Sequence, residues 1–110
     1  MRDEPLTIDD LGVQNQKRTL KLSGPLTIST LYEFQTLVRS NAGTDLVVDF
    51  TRVPYIDSAG VGALVGAYVR QQKEGRSLTL AGPNERVRST LKITQVENFF
   101  QYSDSVPQVA

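Results

Sequence analysis

Cysteine, histidine and tryptophan are all absent from this chain of 110 residues, and methionine occurs once. Without cysteine there is no disulfide framework, no thiolate zinc site and no sulfur nucleophile. Without histidine there is no Ser-His-Asp triad, no imidazole base and no imidazole metal ligand. A hydroxyl in this chain could look only to another base, such as a lysine. The lack of tryptophan weakens the case for an aromatic stacking platform. An excess of one charge is also missing. Lys and Arg number 12 and Asp and Glu number 12, so the formal net charge is zero. Bulk attraction to nucleic acid or to an anionic membrane is therefore not the basis of function. No apolar run is long enough to span a bilayer, and Met1-Arg2-Asp3-Glu4-Pro5 leads into no apolar signal segment. The chain reads as a cytoplasmic protein with no direct nucleic-acid or membrane partner.

What is present is enough for one small core. Hydrophobic residues make up 39% of the chain, and the length fits a single domain over residues 1–110, with its core over about 6–100. Leu6-Thr7-Ile8 reads as a short strand that Asp9-Asp10 interrupt. Residues 12–17 read as a turn. Residues 18–23 alternate, with Leu20 and Leu22 on one face, and complete an N-terminal hairpin. Gly24-Pro25 breaks that pattern. Thr30 and Glu33 have the spacing of a capping box, and Leu31, Phe34, Leu37 and Val38 follow at helical spacing, which predicts a helix over 30–40 ending at Asn41-Ala42-Gly43. Leu46-Val47-Val48-Asp49-Phe50 has the density of a central strand. A link over 51–56 precedes a helix that runs from residue 58 to about Glu74, with Gly75 as its C-terminal stop. Residues 77–81 form another strand. Gly82-Pro83-Asn84 opens a short helix carrying Val87 and Leu91. Val96 and Phe99-Phe100 pack back as a short edge strand, and residues 103–110 are a loose tail. Strands alternating with helices predict an α/β fold with a mixed, mostly parallel sheet flanked by helices.

The most informative stretch is Asp57-Ser58-Ala59-Gly60-Val61, which lies between the central strand and the long helix. Ser and Asp are favoured helix N-caps, so the serine can simply start the helix. The same position suits a phosphate, because a helix N-terminus favours negative charge. Phosphorylation would add about −1.5 to −2 charges at that point, opposed by Asp57. The helix behind it has two faces. Val61, Leu64, Val65, Tyr68 and Val69 form the expected buried stripe. Ala59, Gly62, Ala63, Gly66 and Ala67 form a face of small residues, followed by Arg70, Lys73 and Glu74. Gly inside a helix costs about 1 kcal/mol relative to Ala, so something is gained by closeness. Either a neighbouring element of the domain packs there, or a partner docks there. Both readings are open at this point.

Other candidates are weaker. Asp49 and Asp57 would make a carboxylate pair, but two oxygen donors do not make a Mg²⁺ or Ca²⁺ site. Arg86, Arg88 and Lys92 are a small basic group on the third helix and read as a solvated face. Ser89 and Thr90 are lesser candidate phosphorylation sites. Tyr55 either packs or meets a partner. A P-loop is absent, which argues against nucleotide hydrolysis.

The chain resembles the STAS domain, and among STAS domains the stand-alone bacterial anti-sigma-factor antagonists. The resemblance is carried by Leu46-Val47-Val48-Asp49-Phe50, Tyr55-Ile56-Asp57-Ser58-Ala59-Gly60-Val61-Gly62-Ala63-Leu64, residues 75–81 and residues 87–91. It implies a non-enzymatic regulator with no cofactor of its own. Ser58 would be phosphorylated by an anti-sigma factor that is also a serine kinase. Asp57 and Gly60 would shape the turn, and Ala59, Gly62, Ala63, Gly66 and Ala67 would meet the kinase. The unphosphorylated form would bind that kinase and free a sigma factor, and a serine phosphatase would reset the switch. A constitutive STAS scaffold, or a subunit of a signalling or transport complex, is the alternative. Gly24-Pro25-Leu26-Thr27 departs from the acidic Gly-x-Leu-Asp segment of many such antagonists.

Overall fold

A five-stranded sheet with strand order β1-β2-β3-β4-β5 organises the molecule. The computed structural model describes residues 4–105 of the chain. The elements are β1 (Thr7–Gln14), β2 (Lys17–Ser23), α1 (Leu31–Ser40), β3 (Asp45–Arg52), α2 (Ser58–Lys73), β4 (Leu78–Ala81), α3 (Glu85–Ile93) and β5 (Gln101–Ser103), with a 3-10 turn over Glu97–Phe99. Only the β1–β2 pair is antiparallel; β2–β3, β3–β4 and β4–β5 are parallel. This is the expected α/β order, but the last short strand is Gln101–Ser103 rather than the Val96–Phe100 stretch, whose residues 97–99 form the 3-10 turn, and Ser103 belongs to that strand rather than to a tail. Residues 106–110 of the expected tail, like residues 1–3, lie outside the described residues.

One core holds the layers together. Leu20, Leu22, Leu46, Val48, Phe50, Leu78 and Leu80 of the sheet join Phe34 and Val38 of α1, Val61 and Leu64 of α2, and Val87 and Leu91 of α3 in a single buried cluster. These strand residues alternate, as the pleat requires for one face. All five residues at 46–50 are buried, as the dense apolar run predicts for the central strand.

Three local expectations are corrected. First, the hairpin is longer than its sequence suggests: β1 continues through Asp9 and Asp10 to Gln14, and the turn proper is Asn15-Gln16, both at positive φ. A two-residue turn of that hand matches the strand twist. Asp10 does not end the strand, because its carboxylate pairs with Arg18 across the ladder at 2.6 Å and accepts from the Gly12 amide at 3.0 Å. The register shift between Asp10 and Val13 places Gly12, at φ +80°, in a bulge. Second, no capping box forms at α1. The Thr30 hydroxyl instead accepts from the Thr27 amide at 2.9 Å and donates to the Pro25 carbonyl at 2.8 Å, so it closes the preceding turn. Third, the buried sector of α2 is rotated from the expected stripe by roughly 90°, at about 100° per residue. Val61 and Leu64 are buried as expected, but Val69 is exposed, and Ala63, Ala67 and Gln71 are buried. The cause is α1, which packs along the Ala63–Ala67 side of the helix and shifts the core-facing sector toward itself.

Candidate functional site

The start of α2 is held by backbone contacts to a loop that is distant in sequence. Residues 24–27 run beside residues 52–57. The Leu26 amide donates to the Tyr55 carbonyl and the Asp57 amide to the Leu26 carbonyl, both at 3.3 Å, and Leu26 and Ile56 form an isolated parallel bridge. Gly60 sits where this loop crosses the helix. A Cβ at Gly60 would lie 2.2 Å from the Leu26 carbonyl oxygen, so only glycine fits. Gly24-Pro25-Leu26-Thr27, the segment without an acidic residue, is thus the strap that seats the helix.

Asp57, not Ser58, caps α2. Its Oδ1 accepts from the Gly60 amide at 2.8 Å and its Oδ2 from the Ile28 amide at 3.1 Å. The Val61 amide donates to the Asp57 carbonyl at 2.9 Å. Ser58 is the first residue of the helix and is exposed. Among the described residues its hydroxyl has no hydrogen-bond partner, and the amides of Ser58 and Ala59 have no protein acceptor. A solvent-facing hydroxyl therefore stands at the positive end of a sixteen-residue helix, beside a carboxylate whose two oxygens are already engaged.

The face of small residues divides. Ala63 and Ala67 are buried, Ala67 to 2% exposure, and fill the seam with α1. Ala59 is half-buried. Gly62 and Gly66 are exposed, and a Cβ on either would meet nothing within 4 Å. Ser58, Gly62 and Gly66 lie four residues apart and so line up along the helix. Gly62, Ala63, Gly66, Ala67, Gln35 and Val38 take part in lining a groove of about 350 Å³ between the two helices, with Arg39, Arg70 and Lys73 at its margin. Ile28, whose amide bonds Asp57, and Tyr32, in the first turn of α1, are 72% and 76% exposed. Sequence reading missed these two and Arg39. The signal for Tyr32 was available, since it falls off the Leu31-Phe34-Val38 stripe of α1.

The other end of α2 is closed by a buried polar network. Gln71 Nε2 donates to the carbonyls of Thr44 and Ser77 at 2.9 Å each, and Gln71 Oε1 accepts from Asn41 Nδ2 at 3.0 Å. Thr44 Oγ1 donates to Asn41 Oδ1 at 2.6 Å. This ties α1, the 41–44 turn, α2 and the start of β4 together.

The lesser candidates have local partners. Asp49 Oδ1 accepts from the amide and hydroxyl of Thr51 at 2.9 and 2.7 Å, while Asp57 is engaged at the cap, so each carboxylate has its own task. No group of three or more His, Cys, Asp or Glu side chains able to hold a metal ion occurs among the described residues. Arg86 stacks on the Tyr55 ring at 4.8 Å and Arg88 on the Tyr102 ring at 4.5 Å. Tyr55 therefore has a packing role. Tyr102 donates to the Glu97 carbonyl at 2.6 Å; burial first, and the Glu97 charge second, push its phenol above the ordinary tyrosine value. Thr90 donates to the Arg86 carbonyl at 3.2 Å, a helix-internal bond, while Ser89 is exposed. No helix among the described residues is long and apolar enough to cross a membrane.

Comparison with known proteins follows the same lines. The family model of the STAS domain matches residues 10–109. The anti-sigma-B factor antagonist of Staphylococcus aureus is 24% identical over 94 residues, which cover 83% of this chain and 87% of that protein. Among solved structures, the anti-sigma factor antagonist SpoIIAA in its unphosphorylated form superposes with a TM-score of 0.68 at 18% identity, covering 92% of this chain and 90% of the other. A sulfate transporter family protein from Wolinella succinogenes superposes with a TM-score of 0.76 at 20% identity, covering 86% and 81%. At these identities the superpositions speak for the fold. Together with the match along nearly the whole chain, they agree with the sheet order and helix placement described above: the chain belongs to the STAS domain family.

Proposed function

We propose that this chain is an anti-sigma factor antagonist whose binding is switched by phosphorylation of Ser58. The observation that carries the reading is the division of labour at the start of α2. Asp57 makes the cap, so Ser58 is not needed for it, and its hydroxyl is left exposed. A phosphate there would meet the favourable end of the helix dipole and would be tolerated by the fold. It would also place about two negative charges at the head of the line formed by Ser58, Gly62 and Gly66. In the unphosphorylated state this line, with Ala59 beside it and Ala63 and Ala67 beneath, offers a smooth surface to an anti-sigma factor that is also a serine kinase. Binding frees the sigma factor. Phosphorylation ends the complex by adding charge to the contact surface, and a serine phosphatase restores it. ATP belongs to the kinase. The Staphylococcus aureus relative, an antagonist of an anti-sigma factor, and a solved relative described in an unphosphorylated form support this reading.

The structural likeness to a sulfate transporter family protein favours a second reading, in which the domain is a constitutive subunit and Ser58 is an ordinary first helical residue. Mass spectrometry of the protein isolated from its native cells separates the two. A phosphate on Ser58, in a fraction that changes with growth condition, is the expected result. Ser58→Asp is expected to weaken binding to the anti-sigma factor at least tenfold, while Ser58→Ala binds and cannot be modified. Unmodified Ser58 under every condition, with Ser58→Ala behaving as the native protein in cells, would leave the constitutive reading.

A further inference from the structure

The groove between α1 and α2 carries charge of one sign. Arg39, Arg70 and Lys73 line it, and no carboxylate does. Among the described residues the one ion pair is Arg18–Asp10, so none of these three cations has a carboxylate within salt-bridge distance. In a chain of zero formal charge this is a local excess. Arg70 is held across the groove by donating from Nη2 to the Arg39 carbonyl at 2.8 Å. Its Nε–H is buried and has no acceptor. Buried donors in folded proteins are nearly always paired, so this one is left over among the described residues.

The floor of the groove has the complementary property. At Gly62 and Gly66 a backbone can approach α2 more closely than any side chain would permit, and the two positions lie one helical turn apart. Two helices bound the groove, which suits an occupant that is itself helical.

We infer that the groove seats an acidic helix of the protein partner. Small side chains of that helix lie on Gly62 and Gly66, and its carboxylates reach the guanidinium and ammonium groups of Arg39, Arg70 and Lys73. This rests on the protein-binding reading above and names the chemistry of the partner. It also gives the switch a direction. Ser58 heads the same line as Gly62 and Gly66, so a phosphate there repels any carboxylate at the Gly62 end of the bound helix, while Arg39, Arg70 and Lys73 hold its far end.

The test is a selection from a phage-displayed library of helix-forming peptides against the full chain, followed by NMR and affinity measurements with the selected peptides. The expected peptides carry Asp and Glu along one helical face and shift the amide resonances of Gly62, Gly66 and Ala67. R39E and K73E, both at exposed helix positions, should each weaken binding roughly tenfold at low salt and less at high salt. A selection that yields no binder, peptides that are neutral or basic, shifts confined to another surface, or affinities indifferent to both reversals would overturn the inference. The switch is judged separately with S58D. Weakening by S58D alone keeps the switch and overturns the acidic helix, whereas weakening by the reversals alone keeps the helix and overturns the electrostatic switch.

Discussion

The two ends of α2 are fixed by different means. At the start, backbone meets backbone: Leu26 lies against Gly60, and one carboxylate, Asp57, bonds amides on both sides of the crossing. At the finish, side chains do the tying, through Gln71, Asn41 and Thr44. The backbone solution holds the helix while leaving the adjacent Ser58 side chain with no structural duty. The side-chain solution leaves nothing over, since each amide group in it is engaged and buried. A modifiable residue can exist at the first end and not at the second.

The largest expected effect comes from closing the space at the first end. Gly60→Val places side-chain atoms where the Leu26 carbonyl oxygen stands. Neither partner can yield cheaply, because both are backbone. We expect a loss of about 3 kcal/mol or more in chemical denaturation, with the 24–30 loop displaced from the helix. A variant as stable as the native protein would show that the strap is not what seats α2.

At the second end, Gln71→Leu keeps the volume and removes the bonds. The carbonyls of Thr44 and Ser77 and the Asn41 amide each lose a buried partner. Each keeps one other bond, since the Asn41 amide still donates to the Thr44 carbonyl and the Leu46 amide to the Ser77 carbonyl. Three lost bonds at about 0.5–1.5 kcal/mol each, less the gain from burying leucine, give an expected net loss of about 2 kcal/mol. Binding through the Ser58 end should be unchanged at temperatures where the variant is folded. That independence sharpens the contrast, and a loss of binding in the folded variant would erase it.

Asp57→Ala is the next smaller effect. It removes the acceptor for the Gly60 and Ile28 amides but leaves the backbone contacts of Leu26. A lost N-cap costs about 1 kcal/mol, and a value of 1–2 kcal/mol fits a cap that also holds a loop. Urea denaturation measures it directly. If instead the loss equals that of Gly60→Val, the carboxylate rather than the close backbone crossing seats the helix.

How much of this was legible in the sequence follows from the range of the interactions. The apolar run of β3, the stripe of α1 and the Asp57-Ser58 start of α2 are local patterns, and they placed the sheet, the helices and the candidate site. The rotation of α2 was not legible, because which face of a small-residue helix is buried depends on where α1 lands. Gln71, in the last turn of α2, could not be read as core, since its partners come from residues 41, 44 and 77. Thr30 has the residue types of a capping box but is claimed by Pro25 and Thr27, a competition that spacing alone does not resolve. Gly60 was recognised as part of the turn. Its actual reason, a carbonyl 34 residues away, is a long-range contact that no single-chain pattern encodes.

The smallest expected effect lies behind the locked end. Arg18 pairs with Asp10 in the hairpin and also donates from Nη1 to the Leu37 carbonyl at 3.2 Å and to Ser40 Oγ at 3.1 Å. It thereby joins the hairpin to the last turn of α1, next to Asn41. The bond from Arg18 is the main cause that holds the Asp10 carboxyl below its ordinary value of 3.8. A depressed carboxylate contributes stability that is fully present above the unfolded value, about pH 4, and is lost as the pH falls through the lower folded value. Asp10 is 37% exposed, so screening by solvent keeps the contribution below about 1 kcal/mol. Asp10→Asn should therefore be slightly less stable than the native protein at pH 6, by roughly 0.5 kcal/mol. The two should converge as the pH falls below 3, as followed by urea denaturation at each pH. A gap that stays constant across that range would mean that Arg18 is positioned at the end of α1 by its bonds to Leu37 and Ser40 rather than by the charge of Asp10.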